Sequence, residues 1–241
     1  MATDLDDLIA ASIRGDAARV SALLDRDPDL ISAMTMLGAT AIHAAHYSRQ
    51  AEIVSLLVSF GRAFDPMLRA ELGLVDELKA ALDQNPALVT EVSPAGSTLL
   101  HGACYWGGVP TAKLLLERGA NPDVATTDSF LQIRPLGCAV AAPDVPNPSD
   151  DEEIVLALVD LLLDHGADVN GRRRDGMTAL HTAAYRGHLK VIRRLVERGD
   201  DPMIRAYENS GSHSGESPAD TAMAQGQTEA AELLEKLAMS G

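Results

Sequence analysis

The chain has 241 residues, enough for one domain or two, and combines 46% apolar residues with only 3% aromatics. Its formal net charge of −15 argues against nonspecific binding to nucleic acid and to anionic membranes, since both reward cations. No stretch reaches the roughly 20 apolar residues of a membrane-spanning helix, and the acidic start Met-Ala-Thr-Asp-Leu-Asp-Asp lacks the basic and apolar regions of an export signal. A soluble cytoplasmic protein is expected.

Taken in order, residues 5–33 read as a first helix pair. Thr3 caps a helix over Leu5–Ile13, Gly15 breaks it, and Ala17–Leu24 follows with Val20, Leu23 and Leu24 on one face. Asp4, Asp6, Asp7 and Arg14 give this pair a wet side, as suits the end of an array. Residues 34–65 carry Thr40-Ala-Ile-His43 and Ile53-Val-Ser-Leu-Leu57, with Arg49 where a helix-ending glycine belongs. Residues 66–92 form a shorter pair opened by Asp65-Pro66. Residues 93–125 carry Thr98-Leu-Leu-His101 and Leu114-Leu-Leu116.

A longer period underlies these four units. Pro28 and Pro86, Leu30 and Leu88, Gly38 and Gly96, His43 and His101, Tyr47 and Tyr105, Leu57 and Leu115, and Gly61 and Gly119 all stand 58 positions apart, as do Gly15 and Gly73. The first half is therefore a duplicated two-unit block, with Asp27-Pro-Asp-Leu30 matching Asn85-Pro-Ala-Leu88 at the joint.

Residues 126–171 are irregular. Arg134-Pro-Leu-Gly137 replaces Thr-x-x-His, and an insertion over 143–153 separates the two helices. Its segment 143–148 is expected to be extended and proline-stiffened. Ser149 and Glu152 have capping-box spacing, so the second helix is expected to restart at Asp150. Residues 172–205 contain Thr178-Ala-Leu-His181, Gly187, and a second helix from Leu189 with Val191, Ile192, Leu195 and Val196 on one face before Gly199. Residues 206–241 open with a polar finger over 206–213, followed by a closing helix pair over 216–237 introduced by Ser217-Pro-Ala-Asp220.

Each helix is under about a dozen residues, too short to stand alone in water, so each pair must stack on its neighbours. Thr178-Ala-Leu-His181 followed by Ala183-Ala184 and Gly187 resembles the ankyrin-repeat pattern, as do Thr98-Leu-Leu-His101 and Thr40-Ala-Ile-His43. The exits Gly119-Ala-Asn-Pro122 and Gly166-Ala-Asp-Val-Asn170 agree, and Gly166 and Gly199 stand one ankyrin period of 33 apart. The resemblance covers essentially the whole chain. It implies an all-α fold: a single domain over 1–241, an ankyrin-repeat α-solenoid of stacked helix–turn–helix units with β-turn loops. It further implies a binding scaffold with no chemistry of its own, in this case a monomer without cofactor. The alanine-rich composition suggests a bacterial source.

His43, His101 and His181 follow their threonines by three residues, the offset at which an imidazole bonds back to the helix start. The resemblance makes them structural, and copies one unit apart cannot converge on one metal. The rival reading is a metal-dependent sensor or enzyme using His43, His46 and Cys104, with His43-x-x-His46 on one side of a helix. No phosphate loop, nucleophile elbow or Cys-x-x-Cys pair is present. Cys104 and Cys138 fall at helix-packing positions and suit a reducing compartment.

Tyr47, Tyr105 and Tyr185 occupy one repeat position, two before the helix-ending glycine, and Trp106 and Arg186 take the next. By the resemblance this position faces outward on the concave side. Loop-tip residues Met36, Leu37, Arg174 and Met177 extend the same expected partner surface. Tyrosine, tryptophan and arginine are the side chains that most often anchor protein interfaces. From Arg172 to Arg198, eight cations stand against Asp175 and Glu197. The run Arg172–Arg174 grips either an acidic partner segment or the chain's own 150–153, and the sequence does not choose between them.

Overall fold

The computed structural model describes residues 3–35, 40–48, 50–60, 66–127, 131–141, 152–208 and 214–239. Met36, Leu37, Arg49, the Ser149–Glu152 capping pair and the extended segment 143–148 fall outside that set in whole or in part, as does most of the 206–213 finger. Among the described residues there are fourteen α-helices in seven consecutive pairs and no strand. The pairs are α1 (Asp4–Arg14) with α2 (Ala17–Arg26), α3 (Ala41–Tyr47) with α4 (Ala51–Ser59), and α5 (Pro66–Glu71) with α6 (Val75–Gln84). They continue with α7 (Leu99–Tyr105) and α8 (Val109–Glu117), then α9 (Pro135–Val140) and α10 (Glu152–Asp164). The last two are α11 (Ala179–Arg186) with α12 (Leu189–Glu197), and α13 (Pro218–Ala224) with α14 (Thr228–Ala238).

The helices fall into two compact units, one within residues 1–65 and a larger one beginning at Pro66. In the first, α1 packs on α3 and α2 on α4. In the second, the odd-numbered helices α5 to α13 stack on one another in order, and so do the even-numbered helices α6 to α14. The core lies between those two layers. Leu78, Leu82, Leu100, Leu115, Leu158, Leu162, Leu180, Ile192 and Leu195 are essentially inaccessible there, each stabilising by about 1.5–3 kcal/mol. Ala103, Cys104, Ala139, Ala183, Ala184 and Ala222 keep the odd helices slim enough to lie close together.

Local chemistry sets the helix ends. Asp6 N–H donates to Thr3 Oγ1 (3.2 Å) and Thr3 N–H donates to Asp6 Oδ2 (2.8 Å), a reciprocal cap. Because Thr3 is the cap, α1 begins at Asp4, one residue before the expected Leu5. The 58-residue period reappears in three dimensions: α3 and α7, and α4 and α8, begin and end at positions 58 apart. The joints at Pro28 and Pro86, legible in sequence only as a repeated motif, are 3-10 turns over Pro28–Ser32 and Pro86–Val89. Proline fixes φ at the first position, while Asp27 and Asn85 accept the N–H two residues on, from Asp29 (3.1 Å) and Ala87 (3.3 Å).

Successive loop tips of the larger unit are tied through their backbones. Thr127 N–H donates to Ala95 O (2.9 Å), and Tyr207 N–H donates to Asp175 O (2.9 Å). The next loop therefore presses against the preceding turn glycine. At Gly176, φ is 85°, and an added Cβ would sit 2.4 Å from Tyr207 N and 2.7 Å from its ring. Gly176→Ala combines left-handed strain with a backbone clash and is expected to cost about 2 kcal/mol or more, read as a fall in thermal midpoint. An unchanged midpoint would show that the tip is free to yield.

Candidate interaction surface

The Thr-x-x-His pairs are structural clasps. Thr178 N–H lies 3.1 Å from His181 Nδ1, and the Thr178 hydroxyl 3.2 Å from it. The corresponding distances are 3.1 and 2.8 Å for Thr98 and His101, and 3.3 and 2.9 Å for Thr40 and His43. A backbone amide can only donate, so Nδ1 accepts and Nε2 carries the proton. That proton goes to the next unit: His101 Nε2 donates to Ile133 O (3.2 Å) and His181 Nε2 to Glu216 O (3.1 Å). Burial lowers the pKa of both imidazoles, to about 4 for His181, so each is a neutral tie at pH 7. His46 is lowered too, first by burial and then by His43. Burial pushes the Cys104 thiol well up, with Cys138 adding to the shift, so Cys104 is a poor nucleophile and ligand. Among the described residues no three His, Cys, Asp or Glu side chains are arranged to hold a metal ion.

The basic stretch is largely spent inside the fold. Arg172 Nη1 donates to Gly176 O (2.9 Å) and Arg205 O (2.8 Å), and its guanidinium lies 5.2 Å from the Tyr207 ring centre. Arg173 pairs with Asp175. Of the acidic start of α10, Glu152 and Glu153 meet α12: Lys190 N–H donates to Glu152 Oε1 (2.7 Å), and the Lys190 ammonium pairs with Glu153. Further along, Arg194 pairs with Asp160, and Arg198, just past the end of α12, pairs with Asp164 (3.0 Å).

The expected aromatic positions are placed by a backbone hydrogen bond that closes the helix pairs carrying them. Gln50, Leu74, Gly108, His188 and Gln227 donate to Ala45, Arg69, Ala103, Ala183 and Ala222, at 2.8–3.0 Å. Two residues beyond each acceptor stand Tyr47, Glu71, Tyr105, Tyr185 and Ala224, which are therefore equivalent. Tyr47 ends α3. Tyr185 is 44% exposed, and Arg186 beside it is half-buried. Tyr105 and Trp106 are both half-buried and meet edge to face, with ring centres 5.0 Å apart at 74°. They line an open groove of about 330 Å³ with Met67, Glu71, Ser93, Ser97, His101, Gly102, Thr126, Ile133 and Cys138. Tyr105 and Tyr185 do not share that groove; they lie on α7 and α11, with α9 stacked between.

Two expectations need revising. Met177 does not extend the surface: it is only 4% exposed, with its sulfur 3.3 Å from Arg173 Nη2, because the next loop folds over the turn. Glu71, overlooked in sequence because its unit lacks Thr-x-x-His, belongs with the tyrosines. The signal was available, since Glu71 stands two residues before Gly73 just as Tyr105 and Tyr185 stand two before Gly107 and Gly187. Arg174 is exposed on its loop tip as expected, its N–H donating to Leu131 O (2.9 Å).

A buried carboxyl stands outside this face. Asp200 N–H donates to Leu195 O (3.0 Å), repeating the bonds of Ala120 to Leu115 O and Ala167 to Leu162 O, so its side chain fills a slot that elsewhere holds a methyl group. It is 3% exposed and neither oxygen has a hydrogen-bond partner. The nearby Asp201 amide relieves this only in part, because its N–H donates to Asn170 Oδ1 (3.4 Å). Burial raises the Asp200 pKa to about 8, Asp201 and Asp168 add repulsion, and Arg172 opposes them.

Comparison with known proteins agrees with this architecture. The family described as ankyrin repeats (3 copies) matches residues 8–126 and 152–239, well over half of the chain. Mouse B-cell lymphoma 3 protein homolog is 32% identical over 182 residues, covering 70% of this chain and 38% of that protein. Human B-cell lymphoma 3 protein is 30% identical over 184 residues, covering 70% and 37%. Mouse serine/threonine-protein kinase TNNI3K is 30% identical over 129 residues, covering 53% and 14%. The chain thus spans well under half the length of these relatives.

Proposed function

We propose that this chain, which belongs to the ankyrin-repeat family, is a non-catalytic adaptor, inhibitor or regulatory subunit that binds a protein through its odd-helix face. Ankyrin repeats generally mediate protein–protein interaction. The observation that carries the reading to this face is Tyr185, a large aromatic left 44% exposed at the position shared with Tyr105 in a chain with few aromatics. The Tyr105–Trp106 pair and exposed Arg174 supply further anchors, and Tyr47 holds the same repeat position within the first unit. Of the rival reading's candidates, His43, His46 and Cys104, His43 is committed through Nδ1 to its own helix start and Cys104 is a buried thiol whose pKa is raised.

The test is a photo-crosslinking amino acid placed at Tyr185 and, as control, at Arg193 on the exposed side of α12, each in the full chain within its native cell. The same protein should be captured from position 185 and not from 193. Equal yields at both positions, or none at 185, would remove the odd-helix face from the proposal.

A further inference from the structure

We infer that a small cavity between α9 and α11 binds one small anion, chloride or another monatomic halide; the site is separate from the partner face proposed above. It lies where the fifth unit departs from its neighbours. Arg134 stands at the cap position that Thr40, Thr98 and Thr178 hold elsewhere, and Gly137 stands where those units have the clasping histidine. The Arg134 side chain runs across Gly171, where an added Cβ would lie 3.1 Å from its Cδ, and its Nη1 donates to Arg172 O (2.5 Å). It thereby makes to the next unit the kind of bond that His101 Nε2 and His181 Nε2 make to Ile133 O and Glu216 O. Beside Gly137 lies a cavity of about 10 Å³, walled by Arg134, Arg172, Arg173, Asp168, Thr178 and Thr182.

The lining sets three guanidiniums against one carboxylate, Asp168. Arg173 is answered by Asp175, but Arg134 and Arg172 donate to backbone carbonyls, which engage a guanidinium's N–H groups without cancelling its charge. Asp200, which burial keeps protonated at pH 7, does not cancel Arg172 either. Asp168 is exposed and accepts the Asn170 N–H (3.0 Å), so water screens it. Half-buried cations brought to one wall repel each other, and an anion among them relieves that repulsion as a water molecule does not. Their field reaches the adjoining clasp: after burial, Arg172 and Arg173 help to hold the His181 pKa down, with the Glu216 carbonyl and Asp175 opposing. Donors are at hand. The bond to Arg172 O uses one of the five N–H groups of Arg134, and the Thr182 hydroxyl is held by a long contact to Thr178 O (3.5 Å) from which it can turn. The space suits an ion little larger than water, so phosphate, sulfate and carboxylate groups are too large for it.

The probes are sodium chloride, bromide and gluconate added to the full chain at constant ionic strength, which separates binding from screening. The chloride-35 resonance should show excess broadening that bromide displaces and gluconate does not. Thermal midpoints should rise saturably in chloride relative to gluconate, as for any ligand that binds only the folded chain. Arg134→Gln should weaken chloride at least fivefold. Thr182→Val, which removes a hydroxyl at nearly constant volume, should weaken it by a smaller factor. Arg193→Gln, at an exposed arginine on α12, should leave both readouts unchanged. The inference is overturned if chloride and gluconate give equal midpoints with no displaceable broadening, because water then fills the cavity. It is overturned equally if Arg193→Gln weakens chloride as much as Arg134→Gln, or if a folded Arg134→Gln chain binds chloride as the wild type does. Should Arg134→Gln fail to fold, Thr182→Val decides, and chloride binding unchanged in that variant removes the site.

Discussion

Asp200→Ala should stabilise the protein by on the order of 3 kcal/mol at pH 7, an unusually large gain for one surface-neutral change of chemistry inside a core. The residue sits 97% buried in a slot where Ala120 and Ala167 place a methyl group, and neither carboxyl oxygen finds a hydrogen bond. An ionised carboxylate there is unfavourable, so the folded state holds the proton up to a pKa of about 8, against an ordinary value of 3.8. Between those two values the folded protein binds more protons than the unfolded chain, so this group's contribution falls as pH rises through the window. The advantage of alanine should accordingly be small near pH 4, grow through neutrality and level off above pH 8. Denaturant midpoints at pH 4, 6 and 8 for wild type, Asp200→Ala and Asp200→Asn measure this directly. Asparagine should recover the pH-dependent part and less of the rest, because its amide is still buried without partners. A pH-independent difference, or a less stable alanine variant, would mean the carboxyl has partners in solution.

His181→Ala should have the opposite sign and a similar size, a loss of about 3 kcal/mol. It removes the acceptor of the Thr178 N–H and hydroxyl, the donor to Glu216 O across to the next unit, and the volume of a fully buried ring. Here the folded pKa is lowered, to about 4 from 6.5, so the unfolded chain binds more protons between those values. The contribution of His181 is complete above pH 6.5 and is lost as pH falls toward 4. In that window His181 and Asp200 act against each other, so the wild-type profile should be shallower than either variant's. His181→Ala should flatten the acid loss that Asp200→Ala exposes. A cost below 1 kcal/mol at pH 7 would show that the clasp is dispensable.

How much of this was legible beforehand depends on the range of the interaction. The clasp was legible because both partners, Thr178 and His181, are three residues apart and meet wherever a helix starts between them. The 58-residue duplication was legible for the same reason, since identical local signals at Gly15 and Gly73, or Pro28 and Pro86, give identical turns. The equivalence of Glu71 with Tyr105 was present in the glycine spacing, and the packing of α5 against α7 places both in one groove.

What the sequence by itself determined is the set of units: seven helix pairs, their caps, their glycine stops and the family to which they belong. These are decided by contacts within one or two turns of chain, which any copy of the motif reproduces. The tertiary structure decided the rest. It buried Met177 under the following loop, consumed Arg172 and Arg173 in local bonds, paired Lys190 with Glu153 and left Asp200 in a methyl-sized slot without a partner. The burial of Met177, the Arg172–Arg205 bond and the Lys190–Glu153 pair each depend on a neighbouring unit some 30 to 40 residues away, and exposure and charge pairing are properties of that neighbour as much as of the residue itself.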